Sequence, residues 1–233
     1  MNISEYKFKT ELHAHTSPAS GCSQIPPEEV IKCYAESGYN SVVISNHFYS
    51  KMNYADNKKQ AIEFFLSDFD KATEEGKKYG INVILGCEIR FDENVNDYLL
   101  FGIDSDFLNT AFDYFDKGSK EFSRFFRNEN TVLVQAHPFR NGMTDVDPNF
   151  LDGIEAFNMH PGHNSRIAIS AKYASEKKFI ITCGSDFHHP GQHAMCALLT
   201  KTEIKDSFEL AKVLRSRDYL FKIGDSIVLP YGI

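Results

Sequence analysis

Glu11-Leu12-His13-Ala14-His15-Thr16 closes a short predicted strand over Phe8–Leu12 and ends in a pair of imidazoles. The same design recurs along the chain. Ile44-Ser45-Asn46-His47 follows a strand over Ser41–Ile44, and Gly86-Cys87-Glu88 follows Val83–Leu85. Gln135-Ala136-His137-Pro138 ends Thr131–Gln135, Glu155 sits in Gly153–Ala156, and Gly184-Ser185-Asp186-Phe187-His188-His189 follows Ile180–Thr182. Side chains two apart on an extended segment point the same way, so His13 with His15, and Asp186 with His188, can each aim at one point. In parallel α/β folds the C-terminal strand ends share one face, and sites are built there.

Between these strands lie amphipathic stretches. Pro26-Pro27-Glu28-Glu29 opens a helix with proline in the first turn and acids near its positive end, and Gly38 closes it. Further helices are expected over Ala55–Tyr79 with Gly80 as stop, and over Asn109–Asn128, Ser165–Lys177 and Ser207–Arg217. Tyr98–Phe101 reads as another strand and Phe221–Leu229 as a last one. Alternation over the whole length predicts an α/β fold with a mostly parallel sheet, barrel or open. No Gly/Ser or Pro tract splits the chain, so residues 1–233 are expected to form one domain.

Composition narrows the function classes. With 233 residues and 42% hydrophobic side chains, the chain can bury a core without disulfide staples. Twenty-five basic against 32 acidic residues give a net charge of −7, which disfavours a general nucleic-acid or anionic-membrane surface. No apolar run approaches the roughly 20 residues needed to span a bilayer, and Met1 to Thr10 lacks a signal-peptide core. Five cysteines, an odd number with no CxxC pair, read as reduced thiols in a cytoplasmic protein.

Imidazole and carboxylate together suit Zn, Mn or Fe, and the lack of cysteine in the cluster argues against a structural zinc. Five histidines and two carboxylates exceed what one ion can use, so two or more divalent metals are expected. Two ions about 3.5–4 Å apart can activate water and hold a phosphoryl oxygen.

The sequence resembles the PHP (polymerase and histidinol phosphatase) superfamily from His13 to His188. Four motifs carry the likeness in order: His13-Ala14-His15-Thr16, Ser45-Asn46-His47, His137-Pro138 and Gly184-Ser185-Asp186-Phe187-His188, with Glu88 between. The resemblance implies a distorted seven-stranded (β/α)7 TIM-like barrel, up to three metals at the strand ends, and metal-dependent phosphoester hydrolysis. It makes His13, His15, Glu88 and Asp186 ligands of a first metal, with Glu88 bridging to a second that His137 shares. His47 and His188 match ligands of a third, and Asp104 stands near where some members place another second-metal ligand. Two departures fall near the third metal: Ser20 where members often carry Asp or His, and Asn46 where an Asp precedes the second-motif histidine. A two-metal enzyme is compatible with both losses, and Cys22 is a candidate soft substitute.

Arg140 and His188 are the candidate catalytic residues. Arg140 is the preferred phosphate contact because its loop carries His137, and an arginine fork suits phosphate; His188, with His47, positions the site. Arg90 and Arg166 are further phosphate candidates. His160, His163, His189 and His193 form a second tier from which a general acid could come, and Glu155 is expected to orient a ligand histidine. The expected activity is hydrolysis of a small phosphorylated metabolite or nucleotide-type phosphoester by a hydroxide activated at a two- or three-metal site. The alternatives are an amidohydrolase-like metal hydrolase, a degenerate non-catalytic metal-binding module, and a proofreading nuclease module. Acidity makes nucleic acid the less favoured partner, and no membrane association is expected.

Overall fold

The computed structural model describes residues 2–231. Twelve strands alternate with six α-helices: β1 (Phe8–Ala14), α1 (Pro27–Glu36), β2 (Ser41–Ile44), β3 (His47–Phe48), α2 (Lys58–Tyr79), β4 (Asn82–Leu85), β5 (Cys87–Arg90), β6 (Asp97–Phe101), α3 (Phe107–Phe112) and α4 (Ser119–Phe126). They continue with β7 (Val132–Gln135), β8 (Gly153–Asn158), α5 (Ile167–Lys177), β9 (Ile180–Gly184), β10 (Cys196–Thr200), α6 (Ser207–Ser216), β11 (Leu220–Ile223) and β12 (Ser226–Val228).

Helix ends follow local chemistry. Pro27 occupies the first turn of α1 with Glu28 and Glu29 beside it. Asn57 caps α2 by accepting from the Gln60 N–H, and Gly80 ends it at φ 67°, a left-handed conformation that glycine adopts freely. The buried stripe of α2 is Ala61, Ile62, Phe65, Asp68, Ala72 and Gly76. Asp68 alone among them is charged, against the apolar pattern such a face requires.

The strands form two six-stranded sheets in the orders β12-β11-β10-β1-β2-β4 and β3-β5-β6-β7-β8-β9. Both are mixed, which corrects the expectation of a mostly parallel sheet. β1–β2, β2–β4, β3–β5, β7–β8 and β8–β9 run parallel, whereas β1–β10, β5–β6, β6–β7, β10–β11 and β11–β12 run antiparallel. The β5–β6 hairpin turns through Phe91–Asn96 with no intervening helix, so a strict strand–helix repeat is broken there. Backbone bonds tie the sheets together. Glu88 N–H donates to Asn46 O at 3.0 Å, carrying the β2–β4 pairing on into β3–β5, and Ala14 bridges Phe187 just beyond β9.

Other differences are local. The expected helix over Asn109–Asn128 is two helices, separated around Gly118, whose φ of 83° is incompatible with a continuous helix. The last strand is the β11–β12 hairpin, turning at Gly224 with φ 55°. The core is rich in aromatic rings: Phe48, Phe65, Phe91, Tyr98, Phe101, Phe122 and Phe126 are all fully buried. All five cysteines are free thiols; Cys87, Cys183 and Cys196 are buried, and Cys22 is exposed. Among the described residues no helix is long and apolar enough to cross a membrane.

Candidate metal centre

His13, near the end of β1, and His15, just past it, have converging rings, and the two Nε2 atoms lie 3.0 Å apart. Around that point stand Glu88 from β5 and Asp186 from the segment after β9. Glu88 Oε1 is 3.5 Å from His13 Nε2 and its Oε2 is 3.3 Å from His15 Nε2. Asp186 Oδ1 is 3.4 and 3.5 Å from the same two nitrogens. His47 Nδ1 approaches Glu88 Oε2 at 2.9 Å, and His137 Nε2 approaches Glu88 Oε1 at 3.1 Å. His188 Nδ1 is 3.3 Å from Asp186 Oδ1, and its ring stacks on His15 with centroids 4.3 Å apart. Thus His13, His15, His47, Glu88, His137, Asp186 and His188, drawn from 176 positions of sequence, meet at one place.

The outer contacts fix how the rings present themselves. Glu155 Oε1 lies 2.8 Å from His13 Nδ1, as an orienting carboxylate would, and Oε2 accepts from the His137 N–H at 3.1 Å. Asn158 Nδ2 donates to both Glu155 Oε2 and Asp186 Oδ2, at 2.9 and 3.1 Å. Gly184 makes room for this: a Cβ there would collide with Glu155 Oε1 and the His13 Cβ. His137 and Asp186 hold left-handed backbone at φ 33° and 51°, conformations that cost non-glycine residues of order 1–3 kcal/mol and gather at functional sites.

Charge is the other half of the geometry. Burial opposes ionisation of Glu88, but His47 and His13 hold its carboxyl well below the usual range. Asp186 is likewise held low against burial, chiefly by His13. Burial alone would lower the His13 imidazolium; Glu155, Asp186 and Glu88 outweigh it and raise it well above its ordinary value. His47 is raised in the same way by Glu88, with the Cys22 thiol as a further neighbour. Burial and the adjacent His15 push His188 down to about 3, and burial brings His160 to about 4, so both rings are neutral at pH 7.

These residues fit divalent cations. His13, His15 and Glu88 offer ligand atoms all within 4.8 Å of one another, as do His15, His47 and His188, and His47, Glu88 and Asp97. Glu88 Oε2, fully buried, makes no hydrogen bond. Two imidazole nitrogens 3.0 Å apart, ringed by carboxylate oxygens, need a proton or a cation between them; lone pairs alone would repel.

Asp97 starts β6, one residue before the apolar run Tyr98–Phe101 that marks the strand in the sequence, and so carries no signal of its own there. It lies 3.8 Å from His137 Nε2. Arg90 grips it with both arms, at 2.7 and 2.8 Å, and Arg140 Nη2 reaches it at 3.4 Å. The antiparallel register places Arg90 opposite Asp97, a signal visible only once the hairpin is known. Asp104 is not at the centre: its carboxylate accepts from the Phe107 N–H at 2.9 Å at the start of α3. His163 stands close, 3.1 Å from Asp186 Oδ2, stacked on His160. His193 packs instead against Tyr34 and Phe187. Arg166 is turned away, donating to Phe139 O and Asn141 Oδ1. Ser20 is 3.1 Å from His15 Nδ1, on the far side of that ring from the converging nitrogens.

Comparison with known proteins agrees with this arrangement. An alignment of 199 positions, covering 74% of the chain, is 23% identical to DNA polymerase III PolC-type of Oceanobacillus iheyensis. The chain spans only 13% of that polymerase's length. A two-domain protein of Bacteroides vulgatus, described as containing a predicted PHP-like metal-dependent phosphoesterase, matches 94% of this chain and 66% of its own with a TM-score of 0.62 at 16% identity. A putative metal-dependent phosphoesterase of Bifidobacterium adolescentis matches 88% of this chain and 95% of its own with a TM-score of 0.52 at 16% identity. At such identities the likeness is one of fold. The model of the PHP domain matches residues 11–221, which span all the converging side chains, and the chain belongs to the PHP-domain family.

Proposed function

We propose that the protein is a metal-dependent phosphoesterase that hydrolyses a small phosphorylated metabolite or a nucleotide-type phosphoester. The observation that carries this is the convergence of His13 Nε2, His15 Nε2, Glu88 and Asp186 within 3.0–3.5 Å at the end of β1. We read the two sheets as parts of one distorted seven-stranded barrel, made by β1, β2 with β3, β4 with β5, β6, β7, β8 and β9. The Ala14–Phe187 bridge and the Glu88–Asn46 bond support that closure. The whole chain is then one domain, and its free thiols suit the cytoplasm.

In this reading His13, His15, Glu88 and Asp186 would hold a first divalent ion, Zn, Mn or Fe. Glu88, His137 and Asp97 would serve a second, and His47 and His188 would suit a third. Such ions would activate a water nucleophile and neutralise charge on the phosphoryl oxygens. The protein's own part is placement. Glu155 orients His13, and Asn158 keeps Glu155 and Asp186 in register. Arg140, partly exposed beside Asp97, takes a phosphate oxygen, and Arg90 keeps Asp97 from swinging away. His163, 3.1 Å from Asp186 Oδ2 at the edge of the centre, is placed to hand a proton to the departing alkoxide.

The experiment is elemental analysis of protein purified without chelator, followed by turnover on phosphomonoester, phosphodiester and amide panels with Mn or Zn. Bound metal with phosphoester turnover is expected. Turnover of amides alone would move the reading to an amidohydrolase, and tight metal without any turnover would make the domain a binding module.

A further inference from the structure

Asp68 is the charged residue on the buried face of α2, and its polar partners are Thr16, the Ala19 N–H and Lys71 rather than any residue of the metal centre. It is linked to one residue of that centre through three other buried side chains. We propose that Asp68, Thr16, Asn46 and Ser20 form a one-way hydrogen-bond relay that sets the tautomer of His15, leaving its Nε2 bare for a cation. The inference rests on the metal-centre reading above.

Every link has only one direction. The Asp68 carboxylate accepts, so Thr16 spends its hydroxyl proton on Oδ2 at 2.9 Å, beside the Ala19 N–H at 3.0 Å. The Thr16 backbone N–H, which can only donate, meets Asn46 Oδ1 at 2.8 Å. That fixes the amide, and Asn46 Nδ2 donates back to Thr16 Oγ1 at 2.7 Å. Asn46 Oδ1 also accepts the single proton of Ser20 at 2.9 Å. The Ser20 oxygen then accepts from the His47 N–H at 2.9 Å, and from His15 Nδ1 at 3.1 Å, which must be the donor. The other tautomer of His15 would draw the serine proton to itself and leave two oxygens facing each other at 2.9 Å without a hydrogen. Ser20 and Asn46, which lack the charge expected at those positions, are thus positioning residues, and Asp68, by taking the Thr16 proton, leaves Thr16 Oγ1 able only to accept from Asn46 Nδ2, a second hold on the amide beside the Thr16 N–H.

The test uses the full chain with 15N-labelled histidine. Long-range proton–nitrogen correlation of the metal-free protein reads the His15 tautomer, and Zn(II) competition with a chromophoric chelator reads affinity. We expect His15 to carry its proton on Nδ1, and Ser20→Ala to mix the tautomers and weaken zinc roughly 10–100-fold. Thr16→Val keeps the shape and the backbone N–H but removes the hydroxyl that joins Asp68 to Asn46 Nδ2, and Thr16→Ser keeps that hydroxyl but loses a methyl. A relay makes Val the more damaging change to tautomer and affinity; simple packing makes Ser the worse. A wild-type His15 protonated on Nε2, or equal tolerance of Val and Ser, overturns the proposal, and the wild-type spectrum decides even if a variant fails to fold. A wild type that binds no zinc overturns the metal reading while leaving the tautomer to be judged by itself.

Discussion

One buried carboxylate and a group of them lie at opposite ends of the strands, and they are neutralised differently. Before β8, Asp152 is held by the chain's own fixed cations: Arg127 Nε at 3.1 Å and Arg215 Nη2 at 3.2 Å, with the Leu133 N–H donating to its other oxygen at 3.0 Å. Arg215 is pinned in turn on Thr131 O. At the other end Glu88 and Asp186 are ringed by imidazoles, which can neutralise them only by taking up protons. A permanent guanidinium closes an electrostatic account; a histidine leaves it open to whatever cation arrives. The difference teaches that burial of acids does not by itself mark a site, whereas burial of acids among titratable neighbours does.

The comparison breaks most sharply by substitution. Glu88→Ala is expected to abolish phosphoester turnover and to cost more in metal affinity than the roughly 10–100-fold typical of an outer partner, read by calorimetry and steady-state kinetics. Asp152→Ala should do the reverse, leaving metal content unchanged while lowering stability by about 1–3 kcal/mol in chemical denaturation, because two half-buried guanidiniums lose their carboxylate. Gly184→Ala should fall between them. Its Cβ pushes on both Glu155 and His13, so a loss of about 1–3 kcal/mol accompanies weaker metal binding.

Acidity sharpens the same contrast. In metal-free protein the raised His13 and His47 contribute stability that is fully present below about pH 6.5 and is lost as pH climbs through their elevated values. Melting of chelated protein should therefore drop with rising pH while the metal-loaded form holds, and a gap that narrows instead would refute the assignment. Arg140→Ala should give the smallest effect, a rise in KM of about tenfold with little change in metal content.

The convergence of these side chains was legible because motif residues lie at strand ends, where a period of two and a shared face bring them together. What stayed hidden was non-local. β3 has two residues and β5 reads Cys87-Glu88-Ile89-Arg90, too short and too mixed for periodicity to register. Without β5 the hairpin to β6 is invisible, and with it both the antiparallel pairing and Asp97. Asp104 attracted attention by its place after an apolar run, yet its carboxylate is occupied at a helix start. The helical period from Asn109 to Asn128 is real on both sides of Gly118; a glycine at positive φ is what divides it.

The left-handed backbone at His137 and Asp186 bears on how little their two loops can change. Each residue lies two positions past the end of its strand, β7 or β9, and each side chain leaves the chain at an angle that an ordinary extended or helical turn would not give. Insertion or deletion of a single residue in either loop would therefore be expected to swing that side chain off the common point even where the strands themselves kept their pairing.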